Sequence, residues 1–131
     1  MIDYVLDTHA CILSLVAPDK LGTGARRAMR NVETGKGVAW IPAAVAAEIV
    51  LLRELGRISI GLRELKEAME RAPGLRFLPL DMRQLDEFVA LGAVRDAFDR
   101  LIVGASRALN AKLVTKDSVL QDLGFVSTVW S

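Results

Sequence analysis

A chain of 131 residues, 52% hydrophobic and 25% charged, is long enough to bury a core and too apolar to stay disordered. Seventeen basic residues against sixteen acidic ones leave a net charge of +1, which excludes a globally basic nucleic-acid binder and confines any phosphate contact to a local patch. Twelve of the seventeen cations are Arg, which suits bidentate phosphate contacts, although in an Ala-rich chain codon bias explains them equally well.

The chain opens on Ile2-Asp3-Tyr4-Val5-Leu6, whose apolar run predicts a strand buried on both faces of a parallel sheet. Asp7 breaks it abruptly, and a carboxylate at the end of such a strand stands where open α/β folds bind ligands. Ala10 to Val16 predicts a short helix closed by Pro18, with the lone Cys11 as a small buried hydrophobe. A single Cys excludes an intramolecular disulfide, and a reducing cytoplasm is the simplest home. Asp3 and Asp7 interrupt any signal-peptide pattern. Thr23 is expected to cap a second helix through Ala25, Ala28, Met29 and Val32, with Arg26, Arg27 and Arg30 outward.

Val38 to Ile41 predicts the second strand, and Pro42 opens a helix carrying Val45, Ile49, Leu52 and Leu55 to Gly56. The apolar stretch from Val38 to Leu52 contains Pro42 and Glu48 and is shorter than the ~20 residues of a membrane span. Leu62, Leu65, Ala68 and Met69 mark an amphipathic helix ended by Pro73-Gly74, and Leu75 to Leu80 predicts the third strand. Asp81 with Gln84 resembles a capping box for a helix lined by Leu85, Phe88, Val89 and Leu91. Asp96 begins the next helix, with Phe98, Leu101, Ile102, Ala105 and Leu109 at helical spacing. Leu113 to Thr115 is a short strand, Ser118 to Leu123 a brief helix, and Phe125 to Trp130 a final strand. This alternation predicts one domain, residues 1–131, folded as a three-layer α/β sandwich with a mainly parallel sheet.

Acidic residues recur where strands end or helices start. Asp7 follows the first strand, and Glu48 stands in an apolar helical stretch where burial without a partner is costly. Asp96 and Asp99, three apart, share one helical face, and Asp117 follows the strand ending at Thr115. Each has a plain structural alternative: a helix cap for Asp96, a surface ion pair for Asp99, a turn for Asp117. Gathered in one cleft, such carboxylates repel unless a cation compensates them, and oxygen ligands without a Cys or His cluster favour Mg²⁺ or Mn²⁺ over zinc. Thr8 and Thr115 are placed to hydrogen-bond neighbouring carboxylates. His9, the only His, has no Ser or Cys motif beside it, so a catalytic triad is improbable and its place is structural or at the cleft rim. No phosphate-binding Gly-rich loop is present.

The sequence resembles the PIN-domain ribonucleases, specifically the VapC-type toxins of bacterial toxin–antitoxin pairs. The resemblance is carried in order by Leu6 to Ala10, Ala47-Glu48-Ile49, Leu55 to Ile58, Arg95 to Ile102, Leu113 to Asp117 and Val129-Trp130. It implies Asp7, Glu48, Asp99 and Asp117 as a metal-holding catalytic quartet, with Asp96 adjacent. It also implies a Mg²⁺- or Mn²⁺-dependent endoribonuclease that cuts single-stranded RNA or exposed loops of structured RNA. A homodimer silenced by a cognate antitoxin protein is expected, with DNA contacted only through the antitoxin. Val94 stands where close relatives have His, Ala97 where they have Pro, and Ala43 and Ala44 where they have Ser; none removes a proposed ligand. Arg95 and Arg100, flanking the acids, either position RNA phosphate or hold their helix.

Three other readings were weighed. A receiver-like Mg²⁺-binding signalling domain needs adjacent acids after strand one, and Thr8-His9 follow Asp7. A haloacid-dehalogenase-like phosphatase needs Asp-x-Asp there, and His9 stands at the second position. A non-catalytic PIN-like scaffold has no use for four crowded carboxylates.

Overall fold

The computed structural model describes residues 1–131. In chain order the elements are β1 (Ile2–Leu6), α1 (Thr8–Val16), α2 (Thr23–Glu33), β2 (Gly37–Pro42), α3 (Ala43–Glu54), α4 (Leu62–Arg71), β3 (Leu75–Leu78), α5 (Met82–Ala90), α6 (Ala97–Leu109), β4 (Lys112–Val114), α7 (Ser118–Asp122) and β5 (Thr128–Val129). A single 3-10 turn, Pro18–Lys20, follows α1. The five strands form one sheet in the order β3-β2-β1-β4-β5, and every neighbouring pair is parallel. This is the three-layer α/β architecture expected from the alternation of apolar runs and amphipathic stretches.

Strand β1 lies at the centre because Tyr4, Val5 and Leu6 are buried, the sequence signature of a strand covered on both faces. Its register sets Tyr4 against Ala39 of β2 and Val5 against Leu113 of β4. The chain runs outward through β2 and β3, then returns across the sheet to β4 and β5. The order therefore reverses between β1 and β4, and a crevice opens at the carboxyl ends of those two strands. Ile41, Ile49, Leu65, Ile102, Leu113 and Val114 fill the core. Cys11 is fully buried among them, and burial pushes its thiol up to about 12, so it packs as an inert hydrophobe.

Four local expectations are corrected. Gly22, not Thr23, occupies the cap position of α2, and no side chain caps that end. The Ala25 N–H donates instead to the Trp130 carbonyl at 2.8 Å. A Cβ on Gly22 would collide with that carbonyl oxygen, so Gly lets the C-terminal segment approach the helix. Asp81 caps α5 by accepting from the Gln84 N–H at 3.0 Å, but the Gln84 side chain donates to Pro79 rather than completing a capping box. Val89 is 77% exposed, because α5 turns Gln84 inward and leaves Val89 on its outer face. Finally, β3 ends at Leu78 and β5 shrinks to two residues. Strand β5 has only the three-residue β4 beside it, which leaves little ladder to extend. No helix is long and apolar enough to cross a membrane.

Candidate active site

The crevice at the β1/β4 reversal is a cleft of 340 Å³ lined by Asp7, Thr8, His9, Glu48, Asp99, Lys116 and Asp117, with no apolar side chain. Four carboxylates from four separate segments thus meet in one place. The larger cavity, 510 Å³, lies at the opposite end of the sheet between Ile2, Arg27, Asn31, Lys112 and Trp130. No Asp or Glu side chain lines it, and Asn31 is already bonded to the Tyr4 hydroxyl at 2.9 Å.

Helix caps hold two of the acids. Asp7 is the N-cap of α1, its Oδ1 accepting from the Ala10 N–H at 2.8 Å. Asp117 is the N-cap of α7, its Oδ1 accepting from Val119 at 2.8 Å and Leu120 at 3.3 Å. In both cases one oxygen answers the helix, while the partial positive charge of the helix end favours the carboxylate. Asp96 caps α6 by accepting from the Asp99 N–H at 3.0 Å; it is exposed and outside the cleft lining. That cap turns the first turn of α6 so that Asp99 faces the cleft. Glu48 comes from the middle of α3 and accepts from the Thr8 hydroxyl at 2.5 Å. Thr115, fully buried, accepts from the Asp117 N–H at 3.1 Å, and its hydroxyl works against the rise that burial imposes on the Asp7 carboxyl. Of the two threonines, Thr8 gives its hydroxyl hydrogen bond to a carboxylate, while Thr115 accepts from the backbone of Asp117.

The electrostatics follow from this crowding. Asp99 is pushed up to about 6, first by burial and then by Asp96, Asp117, Glu48 and Asp7. Burial also raises Asp7, an effect opposed by the Thr115 hydrogen bond, the Ala10 N–H and the charge of His9, and reinforced by Asp117. No three acidic side chains are drawn into a closed cation cage. What fits a hard divalent cation is the donor chemistry: an all-oxygen set whose mutual repulsion a cation would relieve.

The two arginines flanking Asp96 and Asp99 separate. Arg100 is turned to structural use: its Nε donates to the Phe88 carbonyl at 2.8 Å, and its guanidinium stacks over the Phe88 ring at 4.1 Å. It ties the first turns of α6 to α5 and does not line the cleft. Arg95 is exposed, just before the α6 cap, and also outside the lining. We expect Arg100→Ala to lower unfolding stability by about 1–2 kcal/mol through the lost hydrogen bond and stacking, measured by urea denaturation. An unchanged midpoint would mean that the α5–α6 tie carries no stability. Lys116 joins the cleft without a site expectation from the sequence. A lysine in a loop gives no local signal of a site, and only the strand order brings it to the cleft.

An open parallel α/β sheet with four carboxylates at its topological switch point, and no nucleophile pair beside them, defines an acidic-cleft α/β protein of the kind suited to cation-assisted chemistry. The chain belongs to the PIN-domain family, whose model matches residues 4–126. Its fold is similar to a chain of the VapBC2 complex of Rickettsia felis bound to a promoter DNA fragment, with TM-score 0.73 and 14% identity over 99% of this chain and 100% of that one. It is also similar to DNA-bound VapBC of Salmonella typhimurium, with TM-score 0.67 and 17% identity over 98% and 97%. A toxin–antitoxin complex from Klebsiella pneumoniae matches with TM-score 0.64 and 13% identity over 95% and 96%. No curated protein matches at the level of sequence.

Proposed function

We propose that the protein is a Mg²⁺- or Mn²⁺-dependent endoribonuclease that cuts single-stranded RNA or exposed loops of structured RNA in the cytoplasm. The observation that carries this reading is the convergence of Asp7, Glu48, Asp99 and Asp117 in a cleft without a single apolar lining residue. These four would hold the cation, with Asp96 acting on the site through the α6 cap and its charge on Asp99. The chemistry such a cation supplies when bound is activation of water and neutralisation of charge on phosphate oxygens. The chain's own residues set the stage: Thr8 orients Glu48, Thr115 accepts from the Asp117 N–H, and the caps of α1 and α7 fix two carboxylates on rigid elements. No side chain serves as nucleophile; Cys11 is buried and His9 has no Ser or Cys partner in the cleft.

We further propose that the protein is the toxin of a toxin–antitoxin pair, acting as a homodimer until a cognate antitoxin covers the cleft. The solved structures of like fold support the partner, since all three are complexes and two hold DNA. DNA would then be contacted through the antitoxin, consistent with a chain whose net charge is only +1.

The test is cleavage of a mixed-sequence RNA by purified, antitoxin-free protein with Mg²⁺, with Mn²⁺ and with EDTA. Cutting in either metal that stops in EDTA is the expected result. Absence of cutting from folded protein in both metals would favour a non-catalytic partner-binding scaffold.

A further inference from the structure

The cleft holds one lysine whose charge is not spent on the acids around it. Lys116 lines the same cavity as Asp7, Glu48, Asp99 and Asp117, yet it forms no ion pair with any of them. A lysine kept only to neutralise the carboxylates would sit within salt-bridge distance of one. Its backbone, by contrast, is fixed on both sides. The Thr115 N–H donates to the Val129 carbonyl at 3.2 Å, the Thr115 carbonyl accepts from the Gln121 side chain at 3.0 Å, and the Asp117 N–H is tied to the Thr115 hydroxyl. The side chain itself is exposed. The result is a solvent-facing ammonium carried on a fixed stretch of backbone at the lip of a strongly acidic cleft. A polyanion entering that cleft meets four carboxylates, so its phosphates need a cation at the border to be held against them. Arg100 is committed to Phe88, and neither Arg95 nor Arg100 lines the cleft, which leaves Lys116 as the one Lys or Arg side chain there.

We propose that Lys116 is the substrate-gripping residue of this cleft: its ammonium binds a phosphate of the single RNA strand next to the one being cut. This rests on the nuclease reading above. A flexible point charge suits the purpose, because it follows a moving backbone without demanding bidentate geometry.

The test measures binding of a fluorescein-labelled single-stranded RNA to the Asp7→Asn protein in Mg²⁺, by anisotropy from 50 to 300 mM NaCl, with and without Lys116→Ala. Loss of one phosphate contact should weaken binding roughly tenfold at low salt and reduce the slope of log K against log salt by about 0.7. Lys116→Arg should restore most of the affinity. Lys36→Ala, which removes the same charge near the opposite end of the sheet, should leave the slope unchanged. In the otherwise unaltered enzyme, Lys116→Ala should raise KM roughly tenfold and move kcat little. If RNA binds and Lys116→Ala changes neither affinity nor slope, the Lys116 assignment falls and the nuclease reading stands. A Lys116→Ala protein that melts lower but binds RNA as before makes Lys116 a neutraliser of the acids, which also overturns it. If the parent protein neither binds nor cuts RNA, both readings fall together.

Discussion

Asp7→Asn is expected to abolish RNA cleavage while leaving the fold in place. The separation is possible because Asp7 does two things with different parts of its side chain. Its Oδ1 caps α1 through Ala10, and an Asn oxygen accepts that bond as well, Asn and Asp being equally good caps. The negative charge is what Asn removes. Asp7 is 7% exposed and burial already disfavours its ionised form, so a neutral amide costs the folded state nothing electrostatically. A cation site that loses one of its charged ligands gives up several kcal/mol of charge stabilisation, which is roughly 10³-fold in rate. The check is single-turnover cleavage beside a thermal melt: activity down by about that factor, midpoint within a few degrees of the parent. Wild-type cleavage by a folded Asp7→Asn protein would remove Asp7 from the site.

The fold was legible because its elements are written in local pattern. Tyr4 to Leu6 and Val38 to Ile41 are apolar runs of strand length, and the helices between them repeat at three and four residues. The candidate site was legible for a related reason: Asp7 and Asp117 follow strands, and in a parallel sheet the carboxyl ends of strands converge. What local pattern could not carry were features satisfied at long range. The α2 start is bonded to Trp130, more than a hundred residues away, so the Thr23 cap seemed necessary and was not. Gln84 found Pro79 and the core instead of the cap it faces in sequence. Arg100 looked like a cation beside acids, yet the packing of α5 on α6 put the Phe88 ring and carbonyl within its reach. Lys116 is the converse, a residue with no local signature that topology brings to the cleft. A turn role was weighed against a cleft role for Asp117, although the residue caps α7 through Oδ1 and lines the cleft as well.

Asp99→Asn should make the cation-free protein more stable at neutral pH, the opposite of what removing a useful residue usually does. Asp99 is pushed up to about 6 in the folded state by burial and by the carboxylates around it, against an ordinary value of 3.8. Between those two values the folded state holds more protons than the unfolded one, so stability falls as pH rises through the window. Above about pH 6 the full cost of the ionised group is present, and below about pH 4 it is gone. A shift of about two pH units corresponds to about 3 kcal/mol, reduced to about 1–2 kcal/mol because the group is half exposed and water screens it. Melting in EDTA at pH 7.5 should therefore rise by roughly 3–8 °C in Asp99→Asn, with the gap closing as pH is lowered from 6 to 4. Adding Mg²⁺ should raise the parent more than the variant, since a cation stabilises the state in which all four acids are ionised. A variant that melts lower than the parent at pH 7.5 would mean that Asp99 is held by favourable contacts and not strained by its neighbours. The expected result would give these carboxylates a measurable cost to the fold, which a protein without use for a cation would have no reason to carry.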